Sequence, residues 1–234
     1  MNQIILIICS LICFNLSSQN KFFAKNIIDT LTSDNYAGRG YAKDGHEKAA
    51  NFIASKFKKL GLKGFDSDYK QEFQINVNCF NGDADLIIDN KIMYAGVDFI
   101  VDPRCPGVKG NFDLVWLNPK IIGNAKKMIA FSSQDLKNSF LIIDKTGITD
   151  STQLNFLNGM LYNPFKAKGI VLVQNKKFTW GISKRQHNYP ILHIKKNLIS
   201  FSNKKIELNI DATLKQGEIT QNVLGYVKGT EKPD

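Results

Sequence analysis

Apolar side chains recur at helical spacing from Phe22 to Leu31 (Phe22, Phe23, Ile27, Ile28, Leu31), which predicts a short helix over about Lys21 to Leu31. A second stripe, Ala49, Phe52, Ile53, Phe57 and Leu60, predicts a longer helix from about Gly45 to Leu60 that packs against the first. Asp44 and Glu47 stand three apart in the manner of a capping box at its start. Gly61 suits a left-handed C-cap, with Leu62 folding back and Lys56, Lys58 and Lys59 placed against the negative end of the dipole. Between the helices, Ser33 to Gly40 is dense in turn-forming residues and predicts a loop.

Past Leu62 the period changes. Phe73, Ile75 and Val77 alternate with Glu72, Gln74 and Asn76, which predicts a half-buried strand over Tyr69 to Val77. Leu86 to Ile88 and Ile92 to Tyr94 flank a turn at Asp89-Asn90-Lys91 and predict a hairpin. Short apolar runs follow at Asp98–Val101, Phe112–Leu117, Phe140–Ile143, Ile170–Val173, Ile191–His193 and Ile206–Ile210, separated by Gly, Pro, Asn and Lys. Many short strands of this kind predict a mainly β region. One helix interrupts it, carried by Leu154, Leu157, Leu161 and Phe165, broken or restarted at Pro164 and closed by Lys168-Gly169.

The apolar run from Ile4 to Leu16 is too short to span a bilayer, and with Ser17-Ser18 behind it residues 1–19 have the proportions of a cleaved signal peptide. The alternative is a buried or membrane-associated first helix. Export would leave Cys79 and Cys105 in an oxidising compartment, where either a single disulfide between them or two free thiols is open. The 234 residues are 43% hydrophobic, enough for a sizeable core and one or two domains. A formal charge of +10 raises nucleic acid or anionic glycans as partners. The lysines, however, are spread in pairs (Lys126-Lys127, Lys176-Lys177, Lys195-Lys196, Lys204-Lys205), as on a solvated surface. The densest patch, Lys176 to Arg185, includes Phe178 and Trp180, which would suit stacking. The expectation is no nucleic acid and no membrane span once the signal is removed.

Two segments carry a family resemblance. Ser33-Asp34-Asn35-Tyr36-Ala37-Gly38-Arg39, then Gly45-His46-Glu47-Lys48-Ala49-Ala50-Asn51-Phe52-Ile53, ending Leu60-Gly61-Leu62, resembles the amino-terminal segment of secreted di-zinc aminopeptidases of metallopeptidase family 28, the glutamate carboxypeptidase-like group. The strand Phe140 to Lys145, the helix, Ala167-Lys168-Gly169 with Ile170 to Val173, and Tyr189-Pro190 with Ile191 to Ile194 resemble a protease-associated (PA) domain. In that family such a domain is inserted near the start of the peptidase domain. Thr220 to Thr230 resembles the strand that resumes the peptidase domain, before the strand that bears the family's zinc-binding His and Asp. The resemblance implies an α+β chain: a signal peptide over 1–19, two helices and two strands of an incomplete α/β peptidase domain over 20–78, a mainly β PA-like insert over 79–217, and a returning strand over 218–234.

The complete family member holds two zinc ions and hydrolyses peptides, and such a site needs about five or six converging ligands. Only His46, His187 and His193 are present. They fall on a helix start, in a basic loop and in a strand, and are expected far apart, with no zinc-binding H-E-x-x-H helix. A nucleophile elbow, a phosphate-binding loop and a C-x-x-C pair are missing too; Gly38-Arg39-Gly40 is a turn. The sequence thus predicts no catalytic, cofactor-binding or metal residue in this chain. The resemblance implies an inactive amino-terminal portion of an exported zinc aminopeptidase, truncated before its ligands, whose PA-like region contacts peptides or proteins. The alternative is a stand-alone PA-type binding module.

Overall fold

A computed structural model describes residues 20–65 and 68–231, and the expected signal peptide lies outside them. The chain divides into two compact units, one of Met1–Glu72 with Gln221–Asp234 and one of Phe73–Thr220.

The first unit opens with α1 (Lys21–Leu31), whose N-cap Asn20 accepts a hydrogen bond from the Phe23 N–H at 2.9 Å. Then come 3-10 turns at Asp34–Arg39 and Ala42–Asp44, and α2 (Gly45–Lys59). The capping box expected of Asp44 and Glu47 is not formed. Asp44 is left-handed at φ 56 and makes no side-chain cap bond, whereas a capping side chain folds back from an extended backbone. The loop takes over that task, as the Gly40 carbonyl accepts from the His46 N–H at 2.8 Å. Gly45 is required there, because a Cβ would stand 2.3 Å from the Tyr36 carbonyl oxygen. The helix end matches expectation: Leu62 donates to the Phe57 carbonyl and Gly61, at φ 75, to that of Lys58, the paired bonds of a Schellman cap.

Strand β1 (Lys70–Cys79) leads into the second unit and β10 (Thr213–Val223) leads out; the two pair in a sheet of their own. This last strand begins at Thr213, ahead of the expected 218, and past Val223 the pairing continues through the Leu224 N–H, which donates to the Tyr69 carbonyl at 2.8 Å, and a bridge between Tyr226 and Lys63. Asn222 Nδ2 donates to Gln71 Oε1 at 3.2 Å. Of the expected apolar face of β1, only Val77 is buried, while Phe73 is 42% exposed.

The second unit is built on one eight-stranded sheet. In chain order its strands are β2 (Ala84–Ile88), β3 (Lys91–Met93), β4 (Phe99–Val101), β5 (Val108–Trp116), β6 (Ser139–Asp144), β7 (Gly169–Gln174), β8 (Ile191–Lys195) and β9 (Lys205–Ile210). Their spatial order is β3-β2-β9-β5-β6-β7-β8-β4. Strands β5 to β8 run parallel, and the flanking pairs are antiparallel. The chain is thus α+β with a mixed sheet; helices fill the β5–β6 and β6–β7 crossovers of its parallel centre, and the β7–β8 crossover is a loop. The two helices between β5 and β6, α3 (Pro119–Ile122) and α4 (Ala125–Ser132), are additions to the predicted elements. Asn118 and Asn124 cap them, accepting from the Lys120 and Lys127 amides. The predicted helix is α5 (Ser151–Gly159), capped by Asp150 and extended by a 3-10 turn at Met160–Tyr162 that ends before Pro164.

Alternation along the central strands fills two cores. Leu141, Ile143, Ile170 and Leu172 face the helices, with Phe131 and Leu157. Phe140, Ile142, Val171, Val173, Leu192 and Ile194 face the other way, where they meet buried residues from all the remaining strands of the sheet. The sheet curls over its own apolar face to make that core. Cys79 and Cys105 are both buried free thiols, so the bridge weighed from the sequence is not formed in this structure.

Candidate functional site

One connected group of polar side chains in the second unit gathers at the amino end of β8, beside that of β7. The chain leaves β4 into Asp102-Pro103-Arg104-Cys105, and the Asp102 amide donates to the Ile191 carbonyl at 2.9 Å. Arg104 grips Asp102 with a fork: Nε donates to Oδ1 at 3.0 Å and Nη2 to Oδ2 at 3.1 Å, while its backbone N–H donates to Oδ1 at 2.9 Å. His193 Nε2 stands 3.7 Å from Asp102 Oδ2, close enough to interact electrostatically but beyond a short hydrogen bond. Burial opposes the charge on Asp102, yet His193 and the Arg104 guanidinium outweigh it and hold the carboxyl well below the usual carboxylate range.

His187 flanks the same ion pair. Its backbone N–H donates to the Arg104 carbonyl at 2.7 Å, and its ring stacks on Tyr189 at 5.4 Å. Burial and then the Arg104 charge lower its pKa, so the ring favours the neutral form. The expectation of three widely separated histidines is therefore corrected for His187 and His193, which meet around one ion pair. His46 belongs to the other unit, where its ring lies 4.6 Å from that of Tyr41. Asp102 and Arg104 escaped the sequence reading; the signal available was a carboxylate and a guanidinium two residues apart just past an apolar run.

Asn78 is the second organiser. Its Nδ2 donates to the carbonyls of Pro103 (2.9 Å) and Cys105 (2.8 Å), and its Oδ1 accepts from Gln186 Nε2 at 2.7 Å. Trp180 Nε1 donates to the Val101 carbonyl at 2.9 Å, and its ring meets Phe80 at 5.7 Å. The basic loop over 176–185 is thus latched onto the segment after β4. Its aromatic residues are engaged within the fold: Phe178 lies under the Lys195 ammonium, 5.7 Å away.

This arrangement holds loops and does not supply a nucleophile. The Cys105 thiol is pushed up to about 12, chiefly by burial, so it is protonated at neutral pH. Asp102 spends its lone pairs on Arg104. Among the described residues, no group of three or more His, Cys, Asp or Glu side chains is placed to hold a metal ion. At the opposite ends of the parallel strands, Lys196 pairs with Asp144, and its ammonium lies 5.8 Å from the Trp116 ring. Burial opposes the charge on Asp144, but the hydrogen bond from Lys196 prevails and its pKa is lowered.

No protein-family model and no curated protein sequence matches the chain. Among solved structures, it is similar to the peptidase M28 precursor from Shewanella amazonensis SB2B, with a TM-score of 0.52 and 13% identity over 88% of this chain and 50% of that one. That likeness is one of fold. An aminopeptidase from Aneurinibacillus sp. strain AM-1 also aligns, with a TM-score of 0.47 and 16% identity over 89% of this chain and 48% of that one. The chain spans about half the length of the solved structures it matches. Among the described residues, no helix is long and apolar enough to cross a membrane.

Proposed function

We propose that this chain forms the amino-terminal half of an exported, zinc-dependent aminopeptidase and is inactive without the half that carries the metal ligands. The observation that carries the reading is the thin core of the first unit. Helix α1 buries no residue and α2 buries only Gly45, Ala49 and Ala50, while Phe22, Ile28, Leu60, Phe65 and Val227 are more than half exposed. Apolar faces of this kind call for a covering surface, and a second half of comparable length, as in the M28 precursor, would supply it. The second unit is the PA-like insert in this reading. In the complete enzyme, two zinc ions held by the other half would activate water for attack on the first peptide bond; this chain's part is to frame the site.

The test is zinc content and release of amino acid from a chromogenic aminoacyl substrate. The chain alone should show neither, and the chain expressed with the polypeptide encoded directly downstream of Asp234 should show both. Stoichiometric zinc and chelator-sensitive hydrolysis by the chain alone would overturn the reading. A second reading, a stand-alone module that contacts peptides or proteins, is favoured by the complete cores of the second unit. A downstream frame without a His- and Asp-bearing continuation would leave that reading in place.

A further inference from the structure

The strand register of the second unit leaves part of β5 open. From Val108 to Phe112 the strand pairs with β9 (Val108↔Ile210 through Phe112↔Ile206), but β6 joins its other side only at Asp113↔Ser139. Among the described residues no strand pairs with that side of Val108 to Asn111. An open cleft of about 660 Å³ lies there, and Val108 and Lys109 are part of its wall. Lys137, Lys166 and Lys168 line it as well, all three exposed like Lys109, and no Asp or Glu lines it. Neither these lysines nor Lys109 enters an ion pair with a described residue. The Lys168 ammonium sits 5.7 Å from the Phe112 ring, which holds one charge near the strand.

We propose that this cleft binds an extended acidic peptide, which adds as a strand along the free edge of β5 while its carboxylates meet Lys109, Lys137, Lys166 and Lys168. A free strand edge presents peptide N–H and C=O groups at the spacing another peptide backbone matches, and a sugar or phosphodiester chain does not reproduce that spacing. The four ammonium groups supply the preference for acidic side chains. Arginine forks, which favour bidentate phosphate or sulfate recognition, are missing from the lining. The one aromatic residue of the cleft, Tyr189, has a ring face taken by His187 and its hydroxyl bonded to the Leu161 carbonyl, which leaves little for base stacking. The Asp102–Arg104 pair and the Asn78 bonds acquire a role here, because the segment they brace runs directly into the Pro106 to Lys109 wall.

The proposal rests on the second unit as a peptide-contacting module and requires no hydrolysis, so its failure leaves the half-peptidase reading untouched. The test is fluorescence anisotropy with the full chain and a labelled peptide of about nine residues alternating glutamate and valine, the length of an ordinary added strand. Binding should weaken as salt rises from about 50 to about 500 mM. Each Lys→Gln change at Lys109, Lys137, Lys166 or Lys168 should weaken it about 1.5- to 5-fold, and the four together by at least tenfold. Lys126→Gln, on α4, should leave it unchanged. Replacing glutamate by lysine in the peptide, or methylating the backbone nitrogens on alternate residues, should abolish binding. Equal affinity in the fourfold variant, equal binding of the N-methylated peptide, or capture of a heparin fragment or single-stranded oligonucleotide but not the acidic peptide would each overturn the proposal.

Discussion

The two units of this chain solve the burial problem to different degrees. In Phe73–Thr220, strands alternate between two apolar faces and both are filled: Phe140, Leu141, Ile142 and Ile143, four successive residues of β6, are all fully buried. In the unit formed by Met1–Glu72 and Gln221–Asp234, the helical stripes are just as regular, yet Phe22 is 79% exposed and Ile28 59%. A regular apolar stripe therefore establishes that a helix forms and which face it would bury. It does not establish that the covering surface lies in the same chain.

The comparison breaks most sharply at Phe140. Its ring is fully buried, lies 5.3 Å from that of Phe112, and would be 2.3 Å from a Cβ at position 169. Phe140→Ala should cost about 3–5 kcal/mol by chemical denaturation. Gly169→Ala, which overfills the same place, should cost about 1–3 kcal/mol. A loss below about 1 kcal/mol for Phe140→Ala would mean that the core of the larger unit is no better packed than the smaller one.

Asp102→Asn removes the charged acceptor that braces the segment after β4 and should cost about 1–3 kcal/mol at pH 7. The effect depends on pH. Asp102 titrates lower folded than unfolded, so its contribution is full above the unfolded value of about 4 and is lost as pH falls from there toward the folded value. His187, with a lowered pKa, acts in the same direction: it binds a proton less readily folded than unfolded, and stability falls as pH drops below about 6.5. Denaturation of the Asn variant should therefore show a shallower decline between about pH 5 and pH 3 than the parent. Identical slopes would mean that Asp102 is not held in its charged form.

The smallest effect is expected where the smaller unit is bare. Phe22→Ser with Ile28→Ser should change unfolding free energy by no more than about 0.5 kcal/mol, and should reduce self-association in analytical ultracentrifugation. A large destabilisation would show that these side chains are already covered.

Much of this contrast can be read in the residues, and the failures have physical causes. Every apolar run of β4 to β9 became a strand because a stretch of Val, Ile, Leu and Phe between turns suits a doubly covered sheet. The helices α3 and α4 were hidden because each is short and announced mainly by its Asn cap. Asp44 misled because capping depends on a backbone conformation that a three-residue spacing does not report. The Asp102–Arg104–His193 cluster joins residues about ninety positions apart, and its assembly depends on β4 pairing with β8, which no local pattern encodes. The open stretch of β5 is likewise a matter of register, since it exists only because β6 starts opposite Asp113.

Native-state hydrogen exchange on the intact chain tests the central contrast most directly, because it measures opening free energies amide by amide. Amides of β5 to β8 should exchange at the rate set by global unfolding, and those of α1 and α2 about a hundredfold or more faster, slowing only if the proposed second half is added. Equal protection of α2 and β6 in the isolated chain would contradict the account, since it would show that the smaller unit is complete as it stands.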